Sequence, residues 1–473
     1  MMKSILEPAR ETPIVGSYDV VVAGAGTAGI IAAIAAARQG ARTLLLERGG
    51  FLGGHLASQL LEHSEGWHDQ LGHQVVGGLP QELVDRLVKI GASPGHVRDD
   101  TGYTRKRVPV NHDEFKSVAS LMVAEAGVRT LLHSPTVAVM RQDRKITGVI
   151  VENKSGRRAY EAKAVIDCTG DADIAHLAGA EFHRQGRAAD GLTQPVSLLF
   201  KLGGIDFEAL IDYVEANPQE FKLAVAPSAL RGRDHVNLWG FGAVLKAGHE
   251  SGMLSLRRNE LHFAGWVRTG EAVINATRVS ADGADADALS AAEVVLRRQV
   301  LEFVEFFRAF VPGCARCFLA GSAACVGVRE TRRILGMATL TDDDVIHTRR
   351  FADGVAQGGF PMDSHDPKGS SMDSSQQVSA AYDIPYGCLV PRSVGGLLAA
   401  GRCISAERRA LASARITGTC MAMGQAAGTA AALAAAGCLD PRELEPHDVQ
   451  RVLLAAGALL GPAVAERHKA TGH

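Results

Sequence analysis

The hexapeptide Gly24-Ala25-Gly26-Thr27-Ala28-Gly29 has a spacing that implies chemistry. It follows a short apolar run, Tyr18 to Ala23, and precedes an Ala-rich stretch, Ile30 to Gln39, that Gly40 stops. That order predicts strand, tight turn and helix. In such a turn the first glycine makes the bend, the second lets backbone approach a pyrophosphate, and the third lets helix pack on strand. The helix start then faces the phosphates with unpaired N–H groups and the positive end of its dipole. A second strand, Arg42 to Leu46, ends in Glu47, placed to accept hydrogen bonds from ribose hydroxyls. An acid there argues against a 2′-phosphate, so the unit reads as a site for FAD or NAD rather than NADP.

Other candidate chemistry is more dispersed. Histidines at 55, 63, 68 and 73 cluster in sequence but lack the spacing of one helix face, so no metal site is expected. One of them is expected to act as an acid or base beside a redox cofactor, with His55 the first choice. Asp363-Ser364-His365 offers a carboxylate that can fix a histidine tautomer, making His365 the next candidate base, or else an ordinary polar turn. Arg278 and Arg329 are suited to hold a carboxylate or polarise a carbonyl, although core ion pairs would look the same in sequence. Of the cysteines only Cys314 and Cys317 form a Cys-x-x-Cys; with no second pair nearby they read as reduced thiols.

The elements that must carry these residues come in two styles. The strand–turn–helix–strand unit is followed by an irregular, Gly-rich segment to Gly78, a helix over Pro80 to Ile90, and a helix over Asp113 to Ala126 with Asp113 near its cap. A strand over Val128 to Leu132 and three antiparallel strands between Thr136 and Thr169 come next, the last from Ala164 to Cys168. Residues 186–384 mix helix and strand. Their clearest helix is Glu293 to Phe310, and Gly369 to Gln377 reads as a mobile polar loop. The first style returns with a buried strand, Gly396 to Ala400, and a small-residue helix from about 418. The expected fold is α/β, a Rossmann-like dinucleotide domain made of 15–75, 108–185 and 385–473, with 186–384 and 76–107 as an inserted α+β substrate domain.

Composition bounds the function. A chain of 473 residues allows two to three domains, or one with a large insertion. Lys plus Arg number 50 against 52 Asp plus Glu, a balance that argues against nucleic-acid or anionic-membrane partners. Gly418 to Cys438 is uncharged and contains Gly424-x-x-x-Gly428, yet Ala is too weakly apolar to favour insertion, so it reads as a buried packing helix. Met1 to Gly16 lacks an apolar core behind a basic stretch, so a cytoplasmic location is expected.

Taken in order, the motifs resemble the FAD-dependent oxidoreductase family with a glutathione-reductase-type FAD domain. The resemblance rests on Asp19 to Gly29, Glu47-Arg48-x-x-Phe51-Leu52-Gly53-Gly54, Ile166-Asp167-Cys168-Thr169-Gly170-Asp171 and Gly327 to Arg333. It continues through Tyr382-x-Ile384-Pro385-Tyr386, Ala400 to Ser405 and Met423 to Gly428. It implies FAD as cofactor, with Gly24, Gly26, Thr27, Ala28, Gly29, Glu47, Arg48, Gly170 and Asp171 in the binding set. It also implies Gly401 and Arg402 beside the pyrophosphate and ribityl chain, Val137 against the adenine through its backbone, and Gly54 and His55 near the isoalloxazine. The helix around Thr419, Cys420 and Met421 is implied to point its start at the flavin pyrimidine. Cys168 departs from the pattern, which has a small residue such as Ala there.

The leading functional expectation is an oxidoreductase that removes hydride from a small organic substrate to flavin N5, with oxygen or an unidentified carrier as final electron acceptor. A second Gly-x-Gly-x-x-Gly is absent from the sequence, and so is a Cys-x4-Cys after the first unit, which argues against a disulfide reductase. A monooxygenase is the enzymatic alternative, weakened by Gly401-Arg402 where aromatic hydroxylases carry Gly-Asp. An electron-transfer or RNA-modification flavoprotein is the other; one Cys-x-x-Cys cannot hold an iron–sulfur cluster alone. A homo-oligomer is left open.

Overall fold

The computed structural model describes residues 4–470 except 62, 188, 369–371 and 377. Its first unit is β1 (Ile14–Ala23), α1 (Thr27–Arg38) and β2 (Thr43–Leu46). The two strands pair in parallel, from Val20 opposite Thr43 to Ala23 opposite Leu46. Every residue of β2 is buried, as a strand covered on both faces requires.

Around this unit grows a seven-stranded sheet. Arg129–Leu131 joins β2 in parallel on one side. Gly156–Asp167 joins β1 in parallel on the other and continues through Lys145–Asn153 and Thr136–Gln142 as an antiparallel meander. Gly156–Asp167 begins eight residues before the expected Ala164. Its earlier part is exposed or half-buried in places, with Glu161 and Lys163 exposed, and only Ala164 to Asp167 form the continuously buried run that the sequence marks. Leu397–Ala399 returns from far along the chain to pair in parallel with Val165 to Asp167. The neighbouring helix begins at His112 rather than Asp113, because Asn111 is the cap and its side-chain oxygen accepts from the Asp113 and Glu114 N–H groups.

The long helix Thr417–Gly437 lies against α1 and is almost entirely buried. Contact is backbone to backbone: a Cβ on Gly424 would stand 2.2 Å from the Ala28 carbonyl oxygen, and one on Gly428 2.1 Å from that of Ala32. Among the described residues no helix is long and apolar enough to cross a membrane.

A second, antiparallel sheet takes the order His235–Gly240, Leu261–Trp266, Glu271–Asn275, Phe200–Gly203, Phe318–Ser322. Its core is separate from those flanking the first sheet and includes Phe303, Phe306 and Phe307 of the helix Ala286–Phe310. That helix starts seven residues before the expected Glu293, capped by Asp285, whose carboxylate accepts from the Ala288 N–H. Cys314 and Cys317 are free thiols inside this core. The expected loop at Gly369–Gln377 is corrected in part: Met372–Gln376 is a strand paired antiparallel with Met362–His365. A hydrogen-bonded ladder forms through backbone and needs no apolar run. The rest of that expected loop, 369–371 and 377, lies outside the described residues.

Candidate active site

A cavity of about 700 Å³ opens at the carboxyl ends of β1 and β2. The turn after β1 borders it. Gly24 has φ +94°, and a Cβ there would lie 2.5 Å from the Cys168 carbonyl oxygen. A Cβ on Gly29 would lie 1.8 Å from the Gly24 carbonyl oxygen, so only glycine permits this helix–strand approach. At Gly26 a Cβ would have one neighbour within 4 Å, Gly54 Cα at 3.8 Å, and would otherwise stand in the cavity. No side chain caps α1, and its first turn holds no acid, so its positive end opens onto this space.

Glu47 sits at the end of β2 with one carboxylate oxygen accepting the Ala25 N–H at 2.7 Å and the other the Gly49 N–H at 2.7 Å. A carboxylate has about four lone-pair sites, so both oxygens retain acceptor capacity. Across the cavity Arg402 donates to Asp171 at 2.8 Å and to the Thr331 hydroxyl at 3.1 Å. Burial raises the Asp171 carboxyl, but Arg402 and the Thr331 hydroxyl outweigh it and hold the group below the usual carboxylate range. His55, on the short helix α2 (Gly54–Ser58), borders the same cavity. Burial, helped by Arg402, lowers it to about 3, so it is neutral at pH 7.

A smaller chamber of about 210 Å³ adjoins. Leu61, Asn275, Arg329, Arg415 and Thr417 border both spaces. One wall is aromatic: Tyr103 meets Trp239 edge-on at 5.1 Å and Phe360 at 5.7 Å. Another holds an acid–imidazole pair, with His63 Nε2 2.9 Å from Glu65 Oε1. His63 belongs to β3 (His63–Ser64), and Glu65 is pinned at the start of the long helix. The Glu65 N–H donates to the Thr417 hydroxyl at 3.0 Å, and the Gly418 N–H donates to the Glu65 carbonyl at 2.8 Å. Burial, with Asp99 adding, pushes the Glu65 carboxyl up to about 8.

Four guanidiniums complete the chamber: Arg258, Arg278, Arg329 and Arg415. Arg278 donates to His365 Nδ1 at 2.9 Å, and His365 Nε2 lies 3.3 Å from Asp363. Arginine has no acceptor, so Nδ1 must accept and Nε2 carries the proton. Both ring nitrogens of His365 are thereby occupied, and burial lowers it to about 3. Burial opposes ionisation of Asp363, but His365, Arg415 and Arg329 hold its carboxyl well below the usual range.

A family model described as FAD dependent oxidoreductase matches residues 19–453. The chain belongs to the FAD-dependent oxidoreductase family. Its members are flavoenzymes, and FAD is its cofactor. Among curated proteins it is 26% identical over 166 residues to Protein FixC of Escherichia coli K12, covering 32% of this chain and 36% of that one. It is also 26% identical over 168 residues to digeranylgeranylglycerophospholipid reductase of Thermoplasma volcanium, covering 33% and 39%. The chain thus spans little more than a third of these relatives. A solved geranylgeranyl bacteriochlorophyll reductase-like protein of Thermoplasma acidophilum aligns with TM-score 0.45 and 14% identity over 96% of this chain and 83% of that one.

The larger cavity has the chemistry that FAD requires. The cradle at Gly26 leaves room that a Cβ would fill, and the uncapped start of α1 and Arg402 supply positive charge for a pyrophosphate. The long helix also starts without a side-chain cap, and Thr417 and Cys420 of its first turn border the cavity. Of the residues singled out from sequence, Gly24, Gly26, Thr27, Ala28, Glu47, Arg48, Gly54, His55, Gly170, Gly401, Arg402 and Cys420 border this cavity. Gly29 packs behind the turn, Asp171 stands behind Arg402, Val137 follows the bordering Thr136, and Thr419 and Met421 are buried in the helix.

Arg329 borders both spaces, while His365 and Arg278 border the smaller chamber alone. The four early histidines do not converge: His68 lies edge-on to His96, and His73 contacts Asp69. Sequence reasoning missed Glu65, Arg258, His262 and Arg415. The one available signal was His63-Ser64-Glu65, an acid–imidazole spacing inside a segment otherwise dominated by glycine and turns.

Proposed function

We propose that FAD lies in the larger cavity and that the smaller chamber takes a small organic substrate, which is oxidised there. In this reading Glu47 accepts from the ribose hydroxyls, Gly26 and the start of α1 receive the pyrophosphate, and Arg402 neutralises it. When bound, FAD supplies a two-electron acceptor at N5. A substrate C–H gives up hydride, and its neighbouring O–H or N–H gives up a proton, leaving C=O or C=N.

The His63–Glu65 pair takes that proton. It faces the chamber and shares a short contact, and burial holds its Glu65 carboxyl near 8. His365 serves instead as a positioning residue, since its accepting nitrogen is spent on Arg278. His55 borders the cofactor cavity and not the chamber, which suits a cofactor contact. The observation that carries this reading is the shared border of the two spaces at Leu61, Asn275, Arg329, Arg415 and Thr417, which would bring a substrate in the chamber up to the flavin.

The test is anaerobic mixing of the holoenzyme with panels of alcohols, hydroxy acids and amines while the flavin absorbance is followed. Bleaching by one class is expected, slowed about 10²- to 10⁴-fold in Glu65→Gln if the pair is the proton acceptor. Admitting air afterwards separates oxygen from a dedicated carrier as the final acceptor. Unchanged bleaching in both Glu65→Gln and His63→Ala defeats the assignment.

A further inference from the structure

Gln59 closes the short helix α2, its N–H donating to the His55 carbonyl at 3.0 Å. It is 1% exposed and borders the larger cavity. Among the described residues neither its Oε1 nor its Nε2 has a hydrogen-bond partner. A primary amide offers two N–H donors and an oxygen with two lone pairs. Leaving both ends of a buried amide unanswered is costly, and native folds do so rarely. An apolar side chain of similar size would fill the place without that cost. A group that answers Gln59 must bring a donor and an acceptor side by side.

Backbone contacts hold the side chain in its place. The Ala324 N–H donates to the Ser58 carbonyl at 2.7 Å, tying the end of α2 to the segment after Phe318–Ser322. A Cβ on Gly327 would stand 2.5 Å from Gln59 Oε1 and 2.7 Å from its Cδ. Gly327 has no positive φ, so glycine serves there to give the amide room rather than to allow a special backbone shape. Gly327 is itself fixed, its N–H donating to the Ser197 carbonyl at 2.8 Å. The amide also sits beside the joint of the two spaces. Leu61, two residues beyond Gln59, and Arg329, two residues beyond Gly327, border both of them, whereas Glu47 borders the larger cavity alone. With the ribose at Glu47, the redox-active ring belongs at this joint, next to the chamber.

The pyrimidine edge of an isoalloxazine presents an N3–H donor between two carbonyl acceptors. A carboxamide is the complement of half that edge: its oxygen accepts from N3–H while its nitrogen donates to the neighbouring carbonyl. We infer that Gln59 reads the pyrimidine edge of the flavin through this two-bond amide pair, a cofactor contact that fixes how the ring is turned toward the chamber. This rests on the placing of FAD in the larger cavity and goes beyond it, by assigning the polar edge of the ring to one side chain. Both partners are neutral, so the contact needs no charge from the groups around the joint.

The experiment equilibrates the holoenzyme with an equal mixture of FAD and FAD methylated at N3, which has lost the donor. The flavin retained is then released and the two forms are counted by mass spectrometry. The wild type should keep FAD over the methylated form by at least about tenfold. In Gln59→Leu the preference should fall to within about threefold, and FAD itself should be held about tenfold to a hundredfold less tightly in dialysis. Gln59→Met, close to glutamine in length, carries the same test if the leucine variant does not fold. Glu47→Ala should loosen both flavins equally and keep the wild-type preference. A wild-type preference within about threefold overturns the inference, and so does a preference that survives in both Gln59 variants, since the methyl group then meets another wall. Weakened FAD retention in Glu47→Ala with an unmoved preference in Gln59→Leu overturns this contact and leaves the cavity reading standing. Retention unweakened in both variants overturns the two together.

Discussion

Replacing Glu65 with glutamine removes one proton-binding site while keeping its shape, and the consequence is a change in how stability depends on pH. Burial first, then Asp99, raises the Glu65 carboxyl from 4.5 to about 8, against the opposing pull of His262 and Arg107. The folded chain therefore keeps a proton that the unfolded chain releases from about pH 4.5 upward. Stability from this group is fully present below pH 4.5 and is lost as pH rises through about 8. Each pH unit inside that window removes up to about 1.4 kcal/mol. From about pH 5.5 to about pH 7.5 the wild type should lose up to roughly 2.7 kcal/mol relative to Glu65→Gln. The groups facing Glu65, namely His63, Asp99, Arg107, His262 and Asp363, are common to both proteins, so the difference isolates the glutamate. Urea unfolding of holoprotein at several pH values measures it. The infrared carbonyl band of a protonated carboxyl, present at neutral pH in the wild type and lost in the variant, gives a second reading. Parallel stability curves with no such band would mean that Glu65 is ionised in the fold, and the expected rise of flavin reduction with pH through about 8 would fail with it.

The same site and its supports yield further expectations. If the His63–Glu65 pair accepts the substrate proton, flavin reduction in wild type should speed up with pH through about 8, because only the deprotonated pair can accept; stopped-flow absorbance across pH checks this. His55→Ala should leave the reduction rate within about tenfold while weakening FAD retention, read by stopped flow and by dialysis. Glu47→Ala should weaken FAD binding by about 1.5–3 kcal/mol, measured as the dissociation constant of reconstituted FAD. Gly424→Ala should cost about 1–3 kcal/mol despite the better helix propensity of alanine, because the new Cβ would stand 2.2 Å from the Ala28 carbonyl oxygen. A lowered melting temperature together with earlier FAD release is the expected result.

What could be read from the sequence was whatever depends on local contacts. The Gly24-x-Gly-x-x-Gly29 turn, Glu47 and the strands around them involve residues close in sequence, where apolar runs and glycines mark the boundaries. The small-residue helix was legible because a run so poor in large side chains packs only where backbones touch. The cap at Asn111 was missed because Asp113, two residues on, is an equally good capping type. The start of Ala286–Phe310 was missed because its first two turns are polar and show no apolar stripe. The chamber was the least legible part. Glu65, His262, Arg278, Asp363 and Arg415 come from five distant segments, and no spacing rule links them. The sequence left His365 and Asp363 open between a paired acid–imidazole and an ordinary polar turn; in the fold they lie 3.3 Å apart, and the arrival of Arg278 at the second ring nitrogen decides which chemistry that histidine can perform.

The contact between α1 and Thr417–Gly437 has one more effect. With Gly424 and Gly428 set directly on the carbonyls of Ala28 and Ala32, neither helix can slide along the other without a steric collision. Their uncapped starts are therefore two fixed posts at the rim of one cavity, and the gap between them is a gauge of length. In the proposed pose FAD would reach both posts, whereas a flavin mononucleotide, lacking the adenosine half, would leave Glu47 unanswered. Cofactor choice would then be partly a measurement, set by two glycines that do not border the cavity.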